Sequence, residues 1–141
     1  NGQDVTCNWN AKGYRLPTEA EWEYSARGGQ RYKYSGSDNV DEVAWYDDNS
    51  GRETHPVGQK KPNGFGLYDM SGNVLEWVWD WNGGYSHGPV TDPYGPAVGS
   101  YRVCRGGSWS YSPKVVRASR RGSYGPAYRR STLGFRIVRS L

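Results

Sequence analysis

The sequence predicts an α+β fold with short regular elements and long ordered loops. The 141 residues include 20 Gly and 8 Pro, which favours many turns over a helical bundle. One segment carries helix signals at both ends, whereas the strongest apolar periodicity elsewhere is the two-residue repeat of a strand. Aliphatic residues are scarce, so the seven Trp and 12 Tyr must supply much of the core of a single domain.

A helix of about nine residues is predicted within Arg15 to Gly29, RLPTEAEWEYSARGG. Thr18 and Glu21 form a T-x-x-E capping box at its start. Trp22 and Ala26 are four residues apart and therefore share one face of the helix. The Gly-Gly pair that ends the segment is predicted to end the helix.

Strands are predicted in the remainder of the chain, most clearly near the end of PNGFGLYDMSGNVLEWVWDW (62–81). There Leu75 and three Trp alternate with Glu76, Val78 and Asp80, which favours a strand whose Trp row faces the core. Further strands are predicted at Val43 to Tyr46, Thr54 to Val57, Arg102 to Trp109 and Gly134 to Ser140. Residues 83–99, rich in Gly and Pro, are predicted to form a loop.

The segment Ser110 to Thr132 differs in composition from the rest of the chain. Fifteen of its 23 residues are Ser, Tyr, Gly or Arg, and it holds no Asn, Gln, Asp, Glu, His, Cys, Met or Trp. Tyr gives a large contact area at low entropic cost, Ser and Gly adapt to a partner, and Arg anchors it. The motifs RGGSW (105–109) and LGFR (133–136) enclose the segment, which is therefore predicted to be a variable binding site on a fixed scaffold.

Charge is distributed unequally along the chain. Residues 1–92 hold all 14 acidic and 8 of the 18 basic residues, whereas residues 93–141 hold ten basic residues and no acidic one. One interpretation is a polyanion-binding module in the second half. We favour the other, in which several Arg pair with acids of the first half, because Arg occurs singly or in pairs. Nucleic acid is therefore not the expected partner.

Few residues of the sequence indicate redox or metal chemistry. Cys7 and Cys104 leave open either a disulfide or two buried thiols. His55 and His87 are isolated and are predicted to be solvated loop residues. No stretch of the sequence has the length and apolarity of a membrane span.

Five motifs together resemble the formylglycine-generating-enzyme type of C-type lectin fold. They are CNW (7–9), YRLPTEAEWEYSARGG (14–29), GLYDMSGNVLEWVWDW (66–81), RGGSW (105–109) and LGFRIV (133–138), in the family's order and spacing. The resemblance implies one α+β C-type lectin-like domain of the formylglycine-generating-enzyme/sulfatase-modifying type over residues 1–141. The family has further strands before the position of Cys7, so the chain is expected to be the C-terminal bulk of the domain.

The resemblance does not extend to the catalytic residues of the family's enzymes. Its oxidases use two cysteines a few residues after the GGS motif to bind copper, and these positions fall at about Tyr111 and Val116. Without thiolates, the copper ligands and the redox nucleophile are missing. The related sulfoxide synthases need an iron bound by histidines of a helical domain, which the sequence does not contain. We therefore expect a protein that is not an enzyme and that requires no cofactor.

A third branch, the variable proteins diversified by retroelements, fits better. Adenine-directed mutagenesis converts AAC or AAT codons into codons ending in C or T, which never encode Lys, Gln, Glu, Met or Trp. Within residues 110–132 only Lys114 departs from that rule. The alternative is an inactive family member whose loop happens to lack these residue types.

The resemblance to variable proteins implies two sets of positions. The variable, ligand-binding residues are Ser110, Tyr111, Val115, Arg120, Gly122, Ser123, Tyr124, Gly125, Tyr128, Arg130, Ser131 and Thr132. The framework residues between them are Val116-Arg117-Ala118, Arg121, Pro126-Ala127 and Arg129. We expect the three tyrosines to form an exposed patch. We expect Arg117, Arg121 and Arg129 to hold the loop by donating to its carbonyl oxygens.

The motif GNVLEW (72–77) resembles a segment that contributes to a calcium site in some family members. Asn73 and Glu76 would offer two oxygen ligands within one turn. The alternative is that Asn73 holds a tight turn while Glu76 pairs with an Arg of the basic half. The expected partner is an unidentified protein or cell-surface molecule, and the expected location is extracellular or at the cell surface.

Overall fold

The structure is a computed structural model that describes residues 5–140. Its elements in chain order are β1 (Gly13–Arg15), α1 (Glu19–Arg27), α2 (Val40–Val43), β2 (Leu75–Trp81), β3 (Arg102–Arg105), β4 (Arg121–Tyr124), β5 (Leu133–Phe135) and β6 (Val138–Ser140). The prediction of an α+β fold is confirmed. No helix within the described residues has the length and apolarity needed to cross a membrane.

The strands form one sheet of four strands and one of two. The larger sheet has the order β4-β3-β2-β5, with antiparallel pairing except between β2 and β5, which are parallel. In the smaller sheet β1 pairs with β6 antiparallel. Strand β4, which belongs to the segment 110–132, is thus an edge strand with its register fixed by β3, where Arg102 lies opposite Tyr124.

Helix α1 forms as the sequence predicts. The Thr18 hydroxyl accepts a hydrogen bond from the Glu21 backbone N–H (3.1 Å), and the Glu21 carboxylate accepts one from the Thr18 backbone N–H (2.8 Å). Gly28 ends the helix in the left-handed region, at φ +55°, which suits a residue without a Cβ. Trp22 and Ala26 are fully buried and pack in a cluster that also contains Val78 of β2.

Strand β2 is confirmed, but the prediction that its Trp row faces the core is wrong for the middle of the strand. Glu76, Val78 and Asp80 are buried. In the Trp row, Leu75 and Trp81 at the two ends are buried, whereas Trp77 and Trp79 are only half-buried. The inner row contains two carboxylates because each has buried donors. Glu76 accepts from Trp22 Nε1 (2.6 Å), and Asp80 accepts from a backbone N–H at the start of α1 (2.7 Å). Hydrogen bonding thus makes the polar row of the strand the inner one.

Other predicted strands differ from the observed elements. Of residues 43–46, Val43 is the last residue of the short helix α2, whose start is capped by Asn39, and residues 44–46 follow it without regular structure. Residues 54–57 form no strand. The strand predicted over 102–109 ends at Arg105, because the two glycines after it adopt positive φ. Residues 134–140 contribute to two strands, β5 and β6, and residues 83–99 form a loop, as predicted.

The Arg105 side chain, which is 0% exposed, links three parts of the fold. Its guanidinium forms an ion pair with Glu23 of α1 and lies 3.6 Å from the carboxylate of Glu19. It also donates to the backbone carbonyl oxygens of residues 118–120 at 2.8 to 3.2 Å. Arg121 completes this cluster by binding Glu19 through Nε and Nη2, at 2.9 and 2.7 Å. We call Glu19, Glu23, Arg105 and Arg121 the buried ionic cluster.

We expect Arg105→Ala to lower the free energy of unfolding by about 3–5 kcal/mol, because it removes the side-chain donor of three backbone carbonyl oxygens and a buried ion-pair partner of Glu23. Urea denaturation measures the loss. Arg117→Ala is the control, because Arg117 is exposed and its side chain forms no hydrogen bond or ion pair within residues 5–140. Its effect should stay within about 0.5 kcal/mol. Equal decreases in the free energy of unfolding for the two variants would contradict the structural role assigned to Arg105.

Asp80 should destabilise the fold at neutral pH. Burial raises its pKa to about 6; the Glu19 carboxylate adds to this shift, whereas the Glu19 backbone N–H and the charge of Arg121 oppose it. Because the unfolded pKa is about 4, the destabilisation is complete above pH 6 and disappears as the pH falls towards 4. Asp80→Asn should therefore raise the free energy of unfolding by about 1–2 kcal/mol at pH 7.5 and hardly at all at pH 4. Denaturation curves at both pH values test this, and a variant less stable than wild type at pH 7.5 would refute it.

Candidate functional site

The three tyrosines of the segment 110–132, Tyr111, Tyr124 and Tyr128, form one cluster of contacting side chains. The hydroxyl oxygens of Tyr111 and Tyr124 are 2.8 Å apart, and the rings of Tyr124 and Tyr128 stack with centroids 4.4 Å apart. The hydrogen bond with Tyr111, together with partial burial, raises the pKa of Tyr124 to about 12. The guanidinium of Arg130 lies 5.6 Å from the centre of the Tyr128 ring. This tyrosine cluster is half-buried and is not the fully exposed patch that the sequence predicts.

A cleft of about 200 Å³ adjoins the tyrosine cluster. Five candidate variable positions line it, namely Tyr111, Val115, Arg120, Gly122 and Tyr124, together with Leu75, Gly107 and Arg121. The loop before β4 and the strand itself therefore contribute to one concave surface. Replacement of these side chains would change the shape and charge of the cleft directly.

Burial separates the candidate variable positions from part of the framework. Each of the 12 candidate positions is exposed or half-buried, the exposed ones being Ser110, Arg120, Arg130 and Ser131. Two framework residues, Val116 and Ala118, are 0% exposed and belong to the two hydrophobic clusters of the core. The candidate positions thus lie outside the two buried clusters, although Tyr111 packs against one of them.

Backbone atoms hold the segment to the rest of the fold. At its start, middle and end, main-chain groups of Tyr111, Ala118 and Thr132 form hydrogen bonds of 2.8 to 3.1 Å with main-chain groups outside the segment. Their partners are Asp47, Lys33 and Leu75, respectively. Arg105 adds its donors to three carbonyl oxygens, and the β3–β4 ladder adds further main-chain bonds. These contacts do not depend on which side chains the segment carries.

The second glycine of RGGSW allows the segment to approach the sheet closely. Gly107 has φ +72°, and a Cβ there would lie 2.7 Å from Val116 Cγ1 and 2.9 Å from Val116 Cα. Any larger residue would push Val116 out of its buried position. The glycine of this motif therefore allows the framework residue Val116 to pack in the core.

The arginines that anchor the segment are not all those predicted. Arg121 anchors the segment, but through Glu19 and the Gly83 carbonyl oxygen (2.5 Å), which lie outside it, and not through the segment's own carbonyl oxygens as predicted. The predicted anchoring by Arg117 and Arg129 is wrong, since both are exposed and neither side chain has a hydrogen bond or ion pair within the described residues. Sequence reasoning missed Arg105, the main anchor, because it precedes the segment.

The acids of the first half do pair with arginines of the second. Arg105 and Arg121 bind carboxylates of α1, and Arg136 binds Glu76 with both partners of the pair largely buried, at 2.6 Å. The favoured interpretation of the charge distribution is therefore confirmed for these three arginines. Their charges are neutralised inside the fold.

Asn73 and Glu76, the candidate calcium ligands, both have protein partners. Asn73 has φ +62°, and its amide group accepts from the His55 N–H (3.0 Å) and donates to the His55 carbonyl oxygen (3.1 Å). Arg136 and Trp22 Nε1 bind the Glu76 carboxylate. No cluster of three or more His, Cys, Asp or Glu that could hold a metal occurs within residues 5–140. A calcium site here would have to displace these partners and stays a prediction.

The positions that correspond to the oxidase cysteines have no redox chemistry. Tyr111 belongs to the tyrosine cluster, and Val116 packs in the core against Tyr34 and Val43. The two cysteines are not joined by a disulfide, and Cys104 is completely buried in β3. Burial raises the pKa of the Cys104 thiol well above its usual range, so the reactive thiolate is disfavoured.

Comparison with known proteins agrees with this geometry. Residues 4–141 match the FGE-sulfatase family, the sulfatase-modifying factor enzyme 1-like domain. The chaperone protein LppX of Paenibacillus barcinonensis is 43% identical over 96% of this chain and 52% of its own length. The formylglycine-generating enzyme of Streptomyces coelicolor is 38% identical over 96% of this chain and 49% of its own length.

Among solved structures, Treponema denticola variable protein 1 matches with a TM-score of 0.88 and 49% identity, over 92% of this chain and 49% of that one. The chain thus spans about half the length of the relatives that it matches. With a family match over nearly all of its residues, the chain belongs to the sulfatase-modifying factor enzyme 1-like, or formylglycine-generating-enzyme, family.

Proposed function

We propose that the protein is a non-catalytic ligand-binding protein whose binding site, the segment Ser110 to Thr132, is diversified by a retroelement. One observation carries the proposal. The candidate variable side chains lie on an exposed or half-buried face, while the segment itself is held by backbone atoms and by residues outside the candidate set. The similarity to Treponema denticola variable protein 1 supports it.

This division suits a site that changes its side chains repeatedly. Substitutions at exposed positions away from caps, buried pairs and the core usually change stability by less than about 0.5 kcal/mol. The main-chain bonds at Tyr111 and Thr132 use carbonyl oxygens, which every residue has, and the bond from the Ala118 N–H would be lost only on replacement by Pro. The scaffold therefore tolerates many combinations, and variation affects the ligand more than the fold.

The absence of catalysis is part of the proposal. The alternative function is that of an oxidase, because some relatives of this chain are named formylglycine-generating enzyme. In this chain the corresponding cysteine positions are occupied by Tyr111 and Val116, and Val116 is 0% exposed. Neither side chain supplies a thiolate, so the sulfur ligands for copper and the group that exchanges disulfides are missing at these positions.

The chemistry of the face favours a protein or another cell-surface molecule as ligand. Stacked, half-buried tyrosines provide the aromatic contact area found at binding hot spots. The adjoining cleft can accept one protruding side chain of a partner. A diversified binder needs access to changing partners, which is consistent with an extracellular or cell-surface location.

The gene's neighbourhood tests the proposal most directly. We expect a reverse-transcriptase gene and an adenine-rich near-copy of codons 105–136 beside it. The copy should have AAC or AAT where the 12 candidate positions occur and should match the gene at Val116 and Ala118. Sequencing of the locus gives the answer. If there is no near-copy, the diversification proposal fails and the chain is an inactive family member with a fixed partner.

Removal of the tyrosine cluster should affect binding more than folding. We expect Tyr124→Ala with Tyr128→Ala to lower the free energy of unfolding by about 1 kcal/mol, equivalent to about 2–4 °C in melting temperature. Tyr34→Ala is the matched control, since this tyrosine is 8% exposed and part of the core. Tyr34→Ala should lower the free energy of unfolding by about 3–5 kcal/mol. Similar losses in thermal denaturation would show that the cluster is structural.

A further inference from the structure

Three framework cations on the binding face have no structural function in the fold. Lys114, Arg117 and Arg129 are exposed, and their side chains form no hydrogen bond or ion pair within residues 5–140. They lie between positions that are proposed to vary. Lys114 cannot arise from a codon ending in C or T, so diversification cannot have produced it.

In the sequence, these cations are neighbours of residues of the tyrosine cluster and the cleft. Lys114 precedes Val115, which lines the cleft, and Arg129 follows Tyr128. Arg117 accepts a backbone hydrogen bond from Arg120, another lining residue, at 3.0 Å. Along the chain, the three residues therefore lie beside positions that are proposed to vary. We call them the cationic rim.

The net charge of this face is positive. Its exposed basic residues are Lys114, Arg117, Arg120, Arg129 and Arg130, and the segment contains no acid. Arg121, its sixth basic residue, is neutralised by Glu19. The nearest acidic loop is Asp47-Asp48, whose first residue meets the segment through a backbone bond to Tyr111. Two acids at one end leave the positive charge in excess.

We propose that the cationic rim gives the diversified face a constant preference for acidic protein surfaces, whatever side chains the variable positions carry. The inference rests on the proposed function and names the class of its partner. Fixed charges at the edge of a binding surface accelerate association and select partners of opposite charge, while the central residues determine which partner stays bound. We favour a protein over a polyanion as the partner because the segment combines its cations with stacked tyrosines and a cleft.

Selection from a displayed library of a helical domain with a randomised surface tests the proposal. The baits are the wild-type chain, a rim variant (K114Q, R117Q and R129Q) and a control variant (K12Q, R31Q and R139Q). The control also loses three exposed cations, but from outside the face. The double variant Tyr124→Ala, Tyr128→Ala identifies clones that bind through the face. Heparin and single-stranded DNA serve as polyanion probes.

We expect clones that bind through the face to be enriched in Asp and Glu relative to the starting library. Their association rate constants at low salt should fall about tenfold with the rim variant and stay unchanged with the control. The difference should vanish at about 0.5 M salt, where screening is strong.

Clones that bind through the face without acidic enrichment, or with equal rates for the rim variant, would overturn the rim proposal and leave the proposed function standing. Heparin or DNA binding that depends on the rim, with no acidic clones, would overturn the choice of a protein partner. A library that yields no clone dependent on Tyr124 and Tyr128 would contradict the proposed function itself.

Discussion

The fold depends on the buried guanidinium of Arg105. Removal of a cation from water is unfavourable unless its donors find acceptors. Here α1 supplies carboxylates and residues 118–120 supply carbonyl oxygens, and within residues 5–140 only Nε of this guanidinium has no hydrogen bond. A planar group with five donors can satisfy both sets at once, which the single ammonium group of Lys could not. The helix, the central sheet and the segment that follows it are therefore held in one arrangement by a single side chain. Because the acceptors in the segment are main-chain atoms, its sequence is free to change.

The sequence predicted those parts of the fold that local chemistry determines. The capping box at Thr18 and the glycine at 28 set both ends of α1 without help from the rest of the chain. The inner face of β2 could not be predicted, because Glu76 and Asp80 are buried only through donors more than 50 residues away. Strand β4 was missed for a related reason. Arg, Gly and Ser have little intrinsic preference for strands, and the pairing with β3 imposes the extended conformation.

The sequence proposes the extent of the candidate site, but it could not predict how its residues are arranged. Composition alone delimited residues 110–132, yet contact between Tyr111 and Tyr124 needs the turn before β4, which tertiary contacts determine. Arginine is also ambiguous in sequence, since the same residue either donates inward to carbonyl oxygens or extends into solvent. Arg121 does the first, and Arg117 and Arg129 do the second. Only the packing of the segment against α1 distinguishes them.

Strand β4 has one neighbouring strand within residues 5–140, so its other edge presents unpaired main-chain groups beside positions proposed to vary. An exposed edge pairs readily with another chain when its residues are apolar and β-branched. Codons ending in C or T can encode Ile, Val and Phe, and such residues together at 122–124 would favour self-association. Here glycine and serine, next to Arg120 and Arg121, oppose it. If the segment is diversified as proposed, its repertoire would be limited by colloidal solubility as well as by the genetic code, because aggregation would remove some variants before any ligand is met.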